Sequence, residues 1–125
     1  MLEIRENFSP VGYEDIISSA GDKAVHVTEA FDGSEKNGYI VYSYEKEKTV
    51  VYAYDDGGDI MLCDGLVRSV MFKSCMKGIE NVFFELTDES SYENLRRLKF
   101  ISVDSKVSEN IDRFMNGCQN CKNKK

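Results

Sequence analysis

The first half of the chain alternates apolar and polar residues with the two-residue period of half-buried strands. Residues 2–6 show this alternation, and after a loop around Pro10 the amphipathic segment 13–21 ends at a glycine and predicts a short helix. β-branched and aromatic residues dominate three further segments that we predict to be strands: residues 24–31, 39–45 and 49–54. Because the turn-rich segment 32–38 and the charged segment 46–48 separate them, the pattern indicates an antiparallel meander.

After residue 60 the spacing of apolar residues changes to three and four. This spacing predicts an amphipathic helix over residues 63–77 that ends at Gly78, since glycine is favoured just past a helix C-terminus. Residues 81–86 then predict another strand. Because a helix connects it to residues 49–54, we expect the two strands to run parallel through a right-handed crossover.

Three shorter elements are predicted beyond this strand–helix–strand unit. Residues 90–98 favour a helix with Ser90 and Glu93 as a capping box, residues 100–103 a short strand, and residues 108–115 a last helix. The predicted fold class is therefore α+β, with α/β-like character. Its centre is a mostly antiparallel mixed sheet that contains one parallel β-α-β unit.

The length of 125 residues suits one domain, which we place at residues 1–116. Residues 117–125 are polar and basic and predict a flexible tail that carries a Cys-x-x-Cys pair. Apolar residues make up 42% of the chain and charged residues 30%, proportions typical of a folded globular protein rather than a disordered one.

The net charge of −6 disfavours two classes of partner, nucleic acids and anionic membrane surfaces. No apolar run approaches 18 residues and the first residues show no signal-peptide pattern, so we expect no membrane span and a cytoplasmic location. In that compartment the four cysteines would be reduced thiols.

The order of predicted elements resembles that of the GNAT superfamily of acyl-CoA N-acyltransferases over residues 22–103. In particular, the strand around Phe83 and the segment from Tyr92 to Phe100 are similar to that family's strand, its helix on the acceptor side and its closing phenylalanine. The resemblance implies a small, divergent member with a GNAT-like fold over residues 1–116. It also implies transfer of an acyl group from acetyl-CoA, or another acyl-CoA, to the amine of a small molecule or peptide.

In the resembling family a Gln/Arg-x-x-Gly-x-Gly/Ala turn binds the coenzyme A pyrophosphate at a helix N-terminus, where backbone amides favour anions. Placed by the helix and its closing glycine, this motif falls on residues 60–65, where Gly65 matches and Ile60 and Cys63 differ. The resemblance implies that the following residues bind the cofactor: Leu62, Cys63, Asp64, Gly65 and Leu66.

The negative charges around the start of this helix would repel an anion. Four aspartates and no basic residue lie between positions 55 and 66: Asp55, Asp56, Asp59 and Asp64. A like-charge contact costs about 1 kcal/mol per close pair in water, against about 0.3–1 kcal/mol gained from a helix N-terminus. The spacing does not match a calcium loop, so turn formation and helix capping explain these aspartates more simply than a metal does.

Three residues are candidates for acid–base catalysis. The family's tyrosine acid, five residues before the closing phenylalanine, is replaced by Leu95, and Tyr92 lies one turn earlier. His26 is the single histidine and titrates near neutrality. Glu85, in the strand after the central helix, is the third candidate.

The alternative is a non-catalytic binding or interaction module. Cys118 and Cys121 form a lone Cys-x-x-Cys, which is half of a zinc site or a thiol pair, so this function would depend on metal or thiol chemistry. A tyrosine-rich sheet face, predicted from the shared parity of four residues, is another binding surface: Tyr42, Tyr44, Tyr52 and Tyr54. A cleft opening between the parallel strands would favour the acyltransferase instead.

Overall fold

The computed structural model describes residues 2–7, 12–19, 24–109 and 111. Its sheet has six strands in sequence order: β1 (Leu2–Asn7), β2 (Val25–Asp32), β3 (Glu35–Tyr44), β4 (Thr49–Asp55), β5 (Val82–Phe84) and β6 (Val107–Ser108). Within the described residues three helices accompany it: α1 (Glu14–Ser19), α2 (Ile60–Met76) and α3 (Glu89–Arg97).

The pairing of the strands confirms the predicted fold class. Strands β1 to β4 form an antiparallel meander, and β4 pairs in parallel with β5 across α2. β6 then adds an antiparallel edge to β5. β3 begins at Glu35, earlier than predicted, because the turn before it needs only Gly33 and Ser34, and Gly33 takes a positive φ of 67°.

The helices cover the two faces of the sheet unequally. α2 and α3 pack on one face and bury the main core, with Tyr42, Leu66 and Phe84 among its largest side chains. α1 covers the other face over a small cluster centred on Tyr13 and Val41. Among the helices described, none is long and apolar enough to cross a membrane.

A β-bulge at Tyr52 changes which face the end of β4 presents. Val41 pairs with Ala53 while Tyr42 pairs with Val51, so Tyr52 is an extra residue in β4. Val51 and Tyr54 both pack into the main core, whereas the Tyr52 hydroxyl lies 2.8 Å from Ser43 Oγ. Since Ser43 alternates with Tyr42, the prediction of one face shared by all four tyrosines is wrong for Tyr52.

Several boundaries after the meander were predicted incorrectly. α2 begins at Ile60 rather than residue 63, because Asp59 caps it. The N-cap residue of α3 is Asp88, so the helix begins before the predicted Ser90–Glu93 box. Residues 100–103 form bends and turns rather than a strand, since α3 ends at Arg97 and Lys99, in the turn that follows, has a φ of 68°.

The last predicted elements are only partly described. Ser108, the predicted start of the final helix, belongs instead to β6. The remainder of that helix, apart from Glu109 and Ile111, lies outside the described residues. So do the domain boundary at residue 116, the tail, Cys118 and Cys121.

Candidate functional site

The parallel strands β4 and β5 separate soon after they meet. Their pairing ends at Val51 and Phe84, with a backbone hydrogen bond of 2.8 Å from Glu85 N to Val51 O. β4 continues to Asp55, whereas β5 has already ended. The bulge at Tyr52 lies at the point of separation, so the last residues of β4 form one side of a cleft.

Tyr92 is hydrogen-bonded to the backbone at the end of β5, on the side that faces β6. Its ring is 3% exposed, and its hydroxyl donates to Phe84 O at 2.8 Å and accepts from Leu86 N at 2.9 Å. Because Phe84 N on the same side donates to Lys106 O, these bonds satisfy the backbone of β5 where its pairing with β6 ends. The hydroxyl proposed as a catalytic acid is therefore already committed to the backbone.

A cavity of about 270 Å³ lies at the mouth of this cleft. It is lined by residues from the middle of β3, from the end of β4 and the residue after it, and from the N-cap and first two turns of α3: Tyr39, Tyr54, Asp55, Asp56, Asp88, Ser90, Ser91 and Asn94. Its wall contains carboxylates, hydroxyls and an amide, and no lysine or arginine is among the described lining residues. We call this cavity the acidic pocket.

Each part of the acidic pocket is fixed by hydrogen bonds. Asp56 is 9% exposed and accepts from Asn94 Nδ2 at 3.2 Å and from Gly58 N at 2.9 Å. Asp88 accepts from the hydroxyls of Ser90 and Ser91, and these bonds lower the pKa of its carboxyl. The carboxylates of the pocket are thus held in place by neutral donors.

Tyr54 crosses the cleft on the side of the main core. Its hydroxyl donates to Ser91 O at 2.6 Å, which joins β4 to the first turn of α3. Burial raises the pKa of Tyr54 and raises the pKa of the neighbouring Cys63 thiol to about 11. Both groups are neutral near pH 7, so Cys63 has no thiolate character to offer as a nucleophile.

Tyr39 connects the acidic pocket to a second polar group on the α1 face. Its ring meets that of Tyr13 edge-on, with centroids 5.0 Å apart. The Tyr13 hydroxyl donates to Glu29 Oε2, which also accepts from Asn7 Nδ2 at 3.1 Å and from Lys36 Nζ at 3.3 Å. We call Asn7, Tyr13, Glu29 and Lys36 the Glu29 cluster.

The turn before α2 uses its backbone amides internally. Three aspartate side chains accept from nearby amides: Asp55 from Gly57 N at 2.8 Å, Asp56 from Gly58 N at 2.9 Å, and Asp59 from Met61 N at 2.9 Å. The amides of Leu62 and Cys63 donate to Asp59 O at 3.0 and 3.1 Å. Most of the amides that would normally attract an anion, those of Met61 and Leu62 among them, are therefore occupied.

The five residues expected to bind the cofactor lie in the first two turns of α2. Leu62, Cys63 and Leu66 face the main core and are at most 5% exposed. Asp64 turns outward and pairs with Arg68 at 3.0 Å, and Gly65 packs close to Ile4. None of the five is among the residues described as lining the acidic pocket.

His26 and Glu85 do not meet Tyr92. His26 lies on β2, where its Nδ1 is 2.8 Å from Glu6 Oε2 and its ring lies against Tyr42 and Tyr44. Glu85 is exposed and directly follows β5, at the point where the strands separate. His26 is thus apart from the other two candidates, whereas Glu85 lies between Phe84 and Leu86, the two residues whose backbone Tyr92 binds.

The structure shows pocket residues that the sequence had not indicated. Asp88, Ser90, Ser91 and Asn94 come from the start of α3, and the Asp-x-Ser-Ser pattern of a helix N-terminus was the available signal. Within the described ranges, no three His, Cys, Asp or Glu side chains are arranged to hold a metal ion. Of the described cysteines, Cys63 and Cys75 form no disulfide.

No protein-family model matches the sequence, and no curated protein matches it at a significant level. Solved structures do match. One, assigned to the GNAT family of acetyltransferases, is from Desulfovibrio desulfuricans; it is 12% identical, with 84% of this chain and 87% of that chain covered and a TM-score of 0.62. The ribosomal-protein-alanine N-acetyltransferase of Brucella melitensis biovar Abortus 2308 is 11% identical, with 84% and 96% covered and a TM-score of 0.63.

A third similar structure is the KacTA–DNA complex, 16% identical, with 94% of this chain and 99% of that chain covered and a TM-score of 0.60. These matches show that the chain has the GNAT acyl-CoA N-acyltransferase fold, which confirms the expected fold. Because one of the similar proteins is bound to DNA, the expectation that nucleic acid is not a partner stays a prediction.

The GNAT fold implies coenzyme A as the cofactor. The structure fits the amide-bearing arm of that molecule and its pyrophosphate to different degrees. The edge of β4 beyond Val51 lies along an open cleft, which suits an extended arm that carries amides. The start of α2 has its amides bonded to aspartates and backbone carbonyls, so it does not fit a pyrophosphate.

Proposed function

We propose that this chain is an N-acyltransferase of the GNAT type, which transfers an acyl group from a thioester to a cationic amine. The observation that carries the proposal is the separation of β4 from β5 after Val51 and Phe84, with the acidic pocket at its mouth. A free strand edge on one side and carboxylates on the other give separate places to a donor and an acceptor.

The acidic pocket supports an amine as the acceptor. Asp55 and Asp56 line it together with Asp88, and an ammonium group would be attracted by this concentration of negative charge. The hydroxyls of Ser90 and Ser91 add oxygen acceptors near the start of α3. Small-molecule amines and the amines of peptides share this chemistry, and the proposal covers both.

The free edge of β4 supports the donor side. Unpaired strand backbone binds extended ligands by hydrogen bonds to their amides, as an added strand would. Acetyl-CoA and other acyl-CoA molecules carry such an arm, so they are the donors proposed. Of the three acid–base candidates, Glu85 has the most suitable position, because it is exposed and follows the last paired residue of β5.

The test is release of free thiol from acyl thioesters in the presence of a panel of primary amines. We expect release that depends on both substrates and that falls in the variant Asp55→Asn/Asp56→Asn. Asp104→Asn, an exposed aspartate in the turn after α3, is the matched control and should keep full activity. Thiol release that never exceeds the blank, with any donor or amine, would refute the proposal.

A second function is favoured by the bonded amides before α2: amine binding without acyl transfer. A protein of this kind would bind primary amines in the acidic pocket and release no thiol. Calorimetric titration with amines, run beside the thiol assay, separates the two functions. The metal- or thiol-dependent module based on Cys118 and Cys121 has no support among the residues that the structure describes.

A further inference from the structure

We infer that the start of α2 is closed to the phosphates of a nucleotide cofactor, so that an acyl donor is recognised through its amide-bearing arm alone. The inference rests on the proposed function in that it concerns the donor side of the same cleft. It differs from the fold's usual use of a helix N-terminus as an anion site, and it follows from how this chain fills that position.

The first reason is that six of the seven backbone amides from Gly57 to Cys63 already donate hydrogen bonds within the turn and the helix start. The amides of Gly57, Gly58 and Met61 donate to aspartate carboxylates, and those of Asp59, Leu62 and Cys63 donate to backbone carbonyls, all at 2.8 to 3.1 Å. A phosphate would have to displace these partners. Each displaced carboxylate would lose a bond that the phosphate gains, so the exchange offers no net attraction.

The second reason is charge. Asp55, Asp56 and Asp59 lie within the turn itself, and the nearest described cation on α2, Arg68, is already paired with Asp64 at 3.0 Å. A phosphate placed about 4 Å from one carboxylate is repelled by about 1 kcal/mol in water, which is about fivefold in affinity. Several such contacts would outweigh the helix dipole.

The third reason is that the turn packs closely against the backbone of β3. A Cβ at Gly57 would lie 2.9 Å from Asn37 O, and one at Gly38 would lie 2.3 Å from Asp55 O. The turn therefore packs directly on the backbone of β3, and Gly57 and Gly58 both take positive φ angles that hold it there. Opening it for a phosphate would require the end of β4 to move.

The direct test is amide NMR on the full chain, with two ligands titrated separately. Adenosine 3′-phosphate 5′-diphosphate carries the nucleotide and the diphosphate of coenzyme A without the arm, and acetyl-pantetheine is the arm without nucleotide or phosphate. We expect the nucleotide to leave the amides of Gly57, Gly58 and Met61 unshifted, and acetyl-pantetheine to shift those of Ala53 and Tyr54. Saturable shifts of the turn amides with the nucleotide would overturn the inference.

A kinetic comparison adds a second readout. We expect kcat/KM for acetyl-CoA and for acetyl-pantetheine to agree within about threefold, a difference of less than ~1 kcal/mol. A preference for acetyl-CoA above about tenfold, reduced by Arg68→Gln or by high salt, would show that phosphates are bound and would overturn the inference. The control variant Lys46→Gln changes an exposed cation in the turn before β4 and should alter neither rate.

The two proposals fail in different ways. If no thioester donates an acyl group to any amine, the proposed acyltransferase function is refuted. The NMR titration with adenosine 3′-phosphate 5′-diphosphate then still decides whether the start of α2 binds phosphate, because it requires no turnover.

Discussion

One buried carboxylate, Glu29, and the carboxylates of the acidic pocket lie on either side of Tyr39, and they have different hydrogen-bond partners. In the Glu29 cluster, Glu29 is 7% exposed and accepts hydrogen bonds from Tyr13, Asn7 and Lys36, so a lysine balances its charge. In the acidic pocket, the described partners of Asp55, Asp56 and Asp88 are neutral amides and hydroxyls.

The comparison distinguishes a carboxylate that stabilises the fold from carboxylates that can bind a ligand. The charge of a buried carboxylate that is paired with a cation is already balanced. Removing the carboxylate leaves its hydrogen-bond donors without an acceptor. A group of carboxylates bonded only to neutral donors keeps its negative field and attracts cations from outside. The Glu29 cluster therefore fixes the sheet beneath Tyr39, and the acidic pocket beside it is where a cationic ligand is expected.

The largest expected effect is the loss of stability on removing Glu29. Glu29→Ala leaves the buried Tyr13 hydroxyl and Asn7 amide without their acceptor, so we expect it to lower the free energy of unfolding by about 3 kcal/mol. Urea denaturation measures this. Glu35→Ala, an exposed glutamate at the start of β3, is the control and should change stability by less than ~0.5 kcal/mol. Equal losses in the two variants would remove the distinction drawn here.

The opposite result is expected in the acidic pocket. Asp55→Asn and Asp56→Asn keep an oxygen for the amides of Gly57 and Gly58, so the turn remains and the charge is lost. We expect each to weaken binding of a simple alkylamine about fivefold, with stability unchanged within ~1 kcal/mol. Calorimetric titration beside denaturation gives both values, with Asp104→Asn as the control. A variant that unfolds more easily but binds amines as before would contradict the assignment.

The strands could be predicted from the sequence because their alternation of apolar and polar residues reports directly which side chains a sheet buries. The GNAT-like order of elements followed from it. The bulge at Tyr52 could not be predicted, since one inserted residue leaves the composition of a strand unchanged while it reverses the faces that follow. For the same reason Tyr54, and not Tyr52, reaches across the cleft to Ser91.

The candidate site was harder to predict than the fold. The aspartates before α2 were recognised as turn and cap residues, and their bonds to Gly57, Gly58 and Met61 agree with that interpretation. The sequence does not predict that these aspartates lie beside Asp88 and Asn94, because that depends on how α3 packs against the end of β4. Phe100 was misassigned to a strand since a buried phenylalanine in a turn has the same local pattern.

A pH titration sharpens the comparison without removing side chains. Burial acts to raise the pKa of Glu29, but hydrogen bonds from Tyr13, Asn7 and Lys36 outweigh it, so the pKa lies below its ordinary 4.5. The stability that Glu29 contributes is therefore fully present above about pH 4.5 and is lost as the pH falls through the lowered value.

At alkaline pH the stability that the same cluster contributes changes in the opposite direction, because it falls as the pH rises. Burial and the hydrogen bond to Glu29 raise the pKa of Tyr13 above 10.0, and the hydrogen bond to Tyr13 raises that of Lys36 above 10.5. Their contribution is fully present below about pH 10 and is lost above it. Denaturation from pH 3 to 11 should show a steeper acid loss in the natural chain than in Glu29→Gln; parallel curves would contradict the assignment.

The smallest expected effect concerns the hydroxyl that joins the two sides of the cleft. Tyr54→Phe removes the hydrogen bond to Ser91 O, and Tyr52→Phe removes the one to Ser43 on the other face, so each should cost about 1 kcal/mol of stability. Only Tyr54→Phe loosens the start of α3, which carries half of the acidic pocket. We therefore expect equal losses in denaturation but a change in amine affinity, and in the amide shifts of Ser91 and Asn94, for Tyr54→Phe alone. If both variants changed amine affinity equally, the pocket would not depend on the contact between β4 and α3, and the cleft would be open by backbone geometry alone.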